Sequence, residues 1–98
     1  MSNKIVHIFI SGKVQGVSYR LWFKNEGEKR SLNGWVRNRT SNRVEAEVNG
    51  NEINIDQMVQ KCKSGPLLAK VDEVIVNPIN KVTNVVQDIK GIKILETI

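Results

Sequence analysis

Two stretches of helical period, each set between strand-like segments, constrain this chain more than any other feature. Residues 4–11 alternate and are rich in β-branched and aromatic side chains, which predicts a strand. Its two faces, Val6/Ile8/Ile10 and Ile5/His7/Phe9, are both mostly apolar, so it belongs in the middle of a sheet. A helix follows, with Ser18 as its cap, running to about Arg30 and placing Tyr19, Phe23 and Gly27 on one side. Residues 32–39 form the next strand, with Leu32, Gly34, Val36 and Asn38 on one face and Trp35, Arg37 and Arg39 on the other. A Thr40-Ser41-Asn42 turn leads into residues 43–49, with Val44, Ala46 and Val48 inward and Glu45 and Glu47 outward. Ile55, Met58, Val59 and Cys62 then fall at i, i+3, i+4 and i+7, an amphipathic helix stopped by Gly65-Pro66. Residues 71–76 and, after a polar connector, residues 91–96 supply the last two strands.

The order βαββαβ plus a C-terminal strand predicts an α+β, ferredoxin-like sandwich: an antiparallel sheet with two helices on one face. At 98 residues, the chain is expected to be a single domain over residues 1–98. In that topology the first two strands run the same way, with the third antiparallel between them. The end of the first strand and Asn38, at the end of the second, then share one edge of the sheet. Two inter-strand steps put them about 10 Å apart, close enough for Arg- and Asn-length side chains to meet on a phosphate-sized object.

Charge gathers in the N-terminal half, where it marks either a solvated, slightly basic surface or a binding region. Residues 1–43 carry nine of the fifteen Lys and Arg residues and only two acids, Glu26 and Glu28, so an anionic partner is expected there. Nucleic acid and a small phosphorylated ligand both fit that field. Composition excludes other classes. No apolar run approaches the roughly 20 residues of a membrane span, and no apolar stretch of signal-peptide length follows the start. One cysteine forms no internal disulfide, and no Cys/His cluster is present to hold zinc. The expectation is a cytoplasmic, metal-independent domain without a cofactor.

Residues 12–20 have the chemistry of an anion cradle. Glycines let successive peptide N–H groups turn inward, and a helix N-terminus adds its own donors and positive dipole end. Arg20, in the first turn, can fork onto two phosphate oxygens. The segment is neither a Walker loop nor a dinucleotide fingerprint. Read alone, the signal is weak, and a tight strand–helix connection with a surface arginine accounts for it better. Asn38 is either a turn-former for the following hairpin or a group that orients water. His7, the only histidine, reads as a half-exposed strand residue, and Cys62, on an apolar stripe, as a buried thiol.

Gly12-Lys13-Val14-Gln15-Gly16-Val17-Ser18-Tyr19-Arg20, followed by Gly34-Trp35-Val36-Arg37-Asn38, resembles the acylphosphatase family. The resemblance extends through Val44-Glu45, Gly65-Pro66 and the Gly91-Ile92-Lys93-Ile94 strand, essentially the whole chain. It implies metal-independent hydrolysis of the carboxyl–phosphate bond of acyl phosphates. It further implies that the peptide N–H groups of Gln15, Gly16, Val17, Ser18 and Tyr19, with the Arg20 guanidinium, bind phosphate, and that Asn38 positions the attacking water. Arg20 and Asn38 are the implied catalytic pair. The implied partners are a small acyl phosphate and inorganic phosphate or sulfate as a product-like ligand, with the chain a monomer. Tyr19 departs from the family's usual Phe, Gly27 from a common Ala, Arg30-Ser31 from Leu-Gly, and Ser41-Asn42 from a frequent Asp-Gly turn.

An acyl phosphate expels a carboxylate whose conjugate acid has a pKa of about 4, so no strong general acid is required. Positioning and charge stabilisation remain. No base for the water is visible, and the substrate's own phosphate oxygen is a candidate. Two alternatives compete with hydrolysis. A ferredoxin-like RNA-binding module would use Phe9 and Trp35 for stacking, though the chain lacks an RNA-recognition motif. A non-catalytic phosphate-binding module would keep the cradle and lose turnover.

Overall fold

In the computed structural model, which describes residues 2–79 and 90–98, β1 (Asn3–Lys13) is an interior strand of a five-stranded sheet, paired on both sides. α1 (Tyr19–Lys29), β2 (Asn33–Arg39), β3 (Arg43–Asn51), α2 (Glu52–Cys62), β4 (Lys70–Pro78) and β5 (Ile92–Ile94) follow in chain order. The strands lie in the order β4-β1-β3-β2-β5. The first four are joined by antiparallel pairings, as the sequence predicts. β5 adds itself parallel to β2, Val36 opposite Ile94, so the complete sheet is mixed. Most of the connector before β5, residues 80–89, lies outside the described residues.

The alternation read from the sequence locates the core. Val6, Ile8 and Ile10 of β1, Val44, Ala46 and Val48 of β3 and Val36 of β2 are buried on one face. Tyr19 and Phe23 from α1 and Ile55, Met58 and Cys62 from α2 pack against them, so both helices cover that face. Burying side chains of this size is worth about 1.5–3 kcal/mol each. Asn51 caps α2, its side chain accepting from the Ile53 N–H at 2.9 Å. Among the described residues no helix is long and apolar enough to cross a membrane.

Two expectations require correction. Ser18 does occupy the N-cap position of α1, but it adopts φ 63° and its side chain makes no capping hydrogen bond. Glu47 does face away from Val44, Ala46 and Val48, yet it is fully buried. Burial on the second face of a sheet depends on what packs over it, and alternation does not encode that.

Gly27 is buried in the last turn of α1, and a Cβ there would run into the Ile92 side chain of β5. The close approach of helix to sheet accounts for a glycine that otherwise costs about 0.8–1 kcal/mol in a helix. Just beyond, α1 ends in a Schellman turn. The Leu32 N–H donates to the Gly27 carbonyl and the Ser31 N–H to the Glu28 carbonyl, with Ser31 at φ 58°.

Candidate active site

The edge where β1 and β2 end together is where the chain builds an open site. A bulge at Ser11/Gly12 shifts the register of β1 against β4. Gly12 (φ 124°) sits so close to the Lys70–Asp72 backbone that no side chain would fit. This redirects the chain across the start of β3 toward β2. Val14 anchors the loop in the core, and Val17 packs against the core from outside. Val17 therefore has only its peptide N–H to offer a ligand.

Between these anchors the backbone alternates in handedness. Gly16 has φ 72° and Ser18 φ 63°, with Val17 outside the left-handed region. Such alternation turns consecutive N–H groups toward one side, the geometry of an anion nest. Among the described residues, the peptide N–H groups of residues 15–21 donate to no carbonyl or side-chain acceptor; the first helical bond of α1 is made by the Trp22 N–H, to Ser18 O. α1 also has no acid in its first turn to occupy these donors. The N-terminus of α2, filled by Asn51, shows what a satisfied helix start looks like in the same molecule.

Tyr19 is the foundation of the nest. Its ring is buried, and its hydroxyl donates to the Cys62 carbonyl at 2.7 Å, which ties the start of α1 to the end of α2. Gly65 lies against this ring: a Cβ there would stand 2.6 Å from Tyr19 Cε2. Burial, then the neighbouring Cys62, pushes the phenol pKa well above its ordinary range. Burial likewise pushes the Cys62 thiol up to about 12, which keeps it protonated and poorly nucleophilic.

A pocket of about 440 Å³ opens on the nest, lined by Val14, Gly16, Ser18, Tyr19, Arg20, Leu21, Asn38 and Ile94. Arg20 and Asn38 thus share one cavity. Arg20 is half-buried, and its guanidinium makes no ion pair or hydrogen bond among the described residues. Asn38 is 9% exposed, and its Oδ1 is buried without a hydrogen-bond partner. An unsatisfied buried acceptor costs about 1–3 kcal/mol; Arg30 Nε, Trp35 Nε1 and Arg37 Nε share that state, and of these residues Asn38 is the one that lines the pocket.

Of the residues singled out in the sequence, Gly16, Ser18, Tyr19, Arg20 and Asn38 line the pocket; Val17 and Gln15 do not. The Gln15 side chain instead turns to the β2–β3 hairpin, donating to Arg39 O and Arg43 O. Sequence reasoning missed Leu21 and Ile94, two partly exposed apolar side chains on the pocket wall. Leu21 was detectable as a leucine off the Tyr19/Phe23/Gly27 stripe. Ile94 was not, because its place depends on the β2–β5 register.

The outer sheet face offers nucleic-acid bases little. The Arg43 guanidinium lies 4.3 Å from the centroid of Phe9, and that of Arg37 lies 5.1 Å from Trp35, which is itself buried. His7 is held by Glu45 at 2.7 Å, with its ring edge-on to Phe9.

Comparison with known proteins bears directly on this arrangement. A family model described as acylphosphatase matches residues 6–89. An acylphosphatase of Rhodopseudomonas palustris (strain BisB5) is 46% identical over 76 residues, covering 78% of this chain and 77% of the relative. One from Alcanivorax borkumensis is 46% identical over 70 residues, covering 71% and 76%. Among solved structures, the acylphosphatase from Bacillus subtilis superposes with a TM-score of 0.85 at 30% identity, covering 96% of this chain and 99% of that one.

Proposed function

The chain belongs to the acylphosphatase family, and on that premise we propose that it hydrolyses the carboxyl–phosphate bond of acyl phosphates at the pocket shared by Arg20 and Asn38. The phosphoryl group sits in the nest, its oxygens accepting from the peptide N–H groups of residues 15–19 and from the Arg20 guanidinium. Asn38 Oδ1 accepts a hydrogen bond from the attacking water, which points a lone pair at phosphorus. A new O–P bond forms as the P–O bond to the acyl group breaks, and the bonding pair leaves with the carboxylate. The water proton passes to a phosphate oxygen or to solvent.

Little else is required of the protein. The leaving carboxylate is stable without protonation, since its conjugate acid has a pKa of about 4. Fixed donors then stabilise charge that spreads over the phosphoryl oxygens, with no reorganisation at the moment of transfer. We further propose a monomer acting in the cytoplasm, in line with a chain whose single cysteine forms no internal disulfide.

The observation that carries this reading is the coincidence of unfilled groups in one cavity: open peptide donors, an unpaired arginine and an unpartnered buried amide oxygen. The test is a steady-state assay of the purified protein on benzoyl or acetyl phosphate with a chelator present, following loss of the acyl phosphate. Turnover that survives chelation is expected. Binding of inorganic phosphate without hydrolysis would instead make the chain a phosphate-binding module.

A further inference from the structure

Gln15 lies within the nest loop, but its side chain leaves it. Nε2 donates to the Arg39 carbonyl at 2.6 Å and to the Arg43 carbonyl at 3.1 Å. These two carbonyls flank the Thr40-Ser41-Asn42 turn, one on each strand of the β2–β3 hairpin, and Arg39 directly follows Asn38. Among the described residues, no other hydrogen bond joins residues 14–18 to β2 or β3.

The two halves of the site otherwise hang from different supports. Val14 and Tyr19 fix the loop to the core and to α2, whereas Asn38 is fixed by β2. We propose that Gln15 is a positioning residue: its amide sets the gap between the phosphate held by the loop and the water held by Asn38. This rests on the hydrolase reading above. A primary amide suits the task because one nitrogen carries two N–H donors, one for each carbonyl. Asparagine is one methylene too short to reach both. A glutamate carboxylate would set its charge against two carbonyl oxygens.

Gln15→Ala and Gln15→Glu, compared with wild type, test the assignment. Because an error of about 1 Å in such a gap costs on the order of 100-fold, kcat of Gln15→Ala should fall about 10- to 100-fold. The inhibition constant for inorganic phosphate, which reads the loop alone, should move less than about threefold on the same grounds. Gln15→Glu should match that loss at neutral pH. As the pH falls toward the ordinary carboxyl pKa of about 4.3, the side chain gains an O–H donor, and its rate relative to wild type should climb.

Three results would overturn the proposal: kcat of Gln15→Ala within twofold of wild type, a pH-independent Gln15→Glu to wild-type ratio, or parallel losses in kcat, phosphate affinity and melting temperature. The last would mark a merely structural role. An inactive wild type would instead remove the hydrolase reading itself, so the two failures are separable.

Discussion

At its C-terminal end α1 directs most of its polar groups to partners in the protein, and at its N-terminal end it leaves them open. The Ser31 and Leu32 N–H groups close the helix on Glu28 and Gly27. Glu26 pairs with Lys29 and Arg30. Glu28 accepts from Lys24 and from the Ile92 N–H, which together hold its carboxyl below the usual carboxylate range. Three turns away, Ser18 makes no cap, residues 19–21 keep their donors, and Arg20 has no partner. One helix thus carries a stable seam with the sheet and an open end, the end at which we propose phosphate binds, and what is missing there is informative because the other end shows the chain can supply it.

Arg20→Ala should have the largest effect on this contrast. Removing one donor from an oxyanion-type site costs about 2.7–4 kcal/mol, so kcat/KM on benzoyl phosphate should drop about 100- to 1,000-fold. The melting temperature should hold, because no protein group loses a partner. An unchanged rate would break the comparison outright. Asn38→Ala comes next. Turnover should fall about 10- to 100-fold through lost alignment of water. Stability should hold or rise by up to about 1 kcal/mol as an unsatisfied buried acceptor disappears. A large loss of stability would place Asn38 among the structural groups instead.

At the closed end the signs reverse. Gly27→Ala gains helix propensity but forces a methyl group into buried Ile92, and overpacking of this kind costs about 1–3 kcal/mol. A net loss of about 1 kcal/mol in a thermal melt is expected, since propensity returns about 0.8–1 kcal/mol, with kcat unaltered. Ser31→Gly is the smallest change. The left-handed conformation is strained for serine, and glycine should recover about 0.5–1 kcal/mol, again without effect on turnover.

What the sequence discloses follows from how local each cause is. Alternation placed Val44, Ala46 and Val48 in the core, and helical period placed Ile55, Met58 and Cys62, because those patterns are written in adjacent residues. The strand order put Arg20 and Asn38 on one edge, and both line one pocket. Glu47 and Ile94 escaped because their surroundings are set by distant segments. Ser18 misled for a related reason: its residue type favours a cap, but the left-handed bend at that position takes its side chain away from the role. Gln15 is the instructive middle case. Its place in the loop was readable, whereas the reach of its amide to two carbonyls depends on a hairpin more than twenty residues on.

Tyr19 is the sole tyrosine, and its hydroxyl is spent on Cys62 at the base of the nest. Burial raises its pKa, so this group favours the folded chain fully below about pH 10, the ordinary phenol value, and progressively less above it. Phenolate absorbance in alkaline solution is therefore expected from molecules in which the Tyr19–Cys62 tie has opened, an intrinsic optical counter of chains that have lost the floor beneath the proposed phosphate loop.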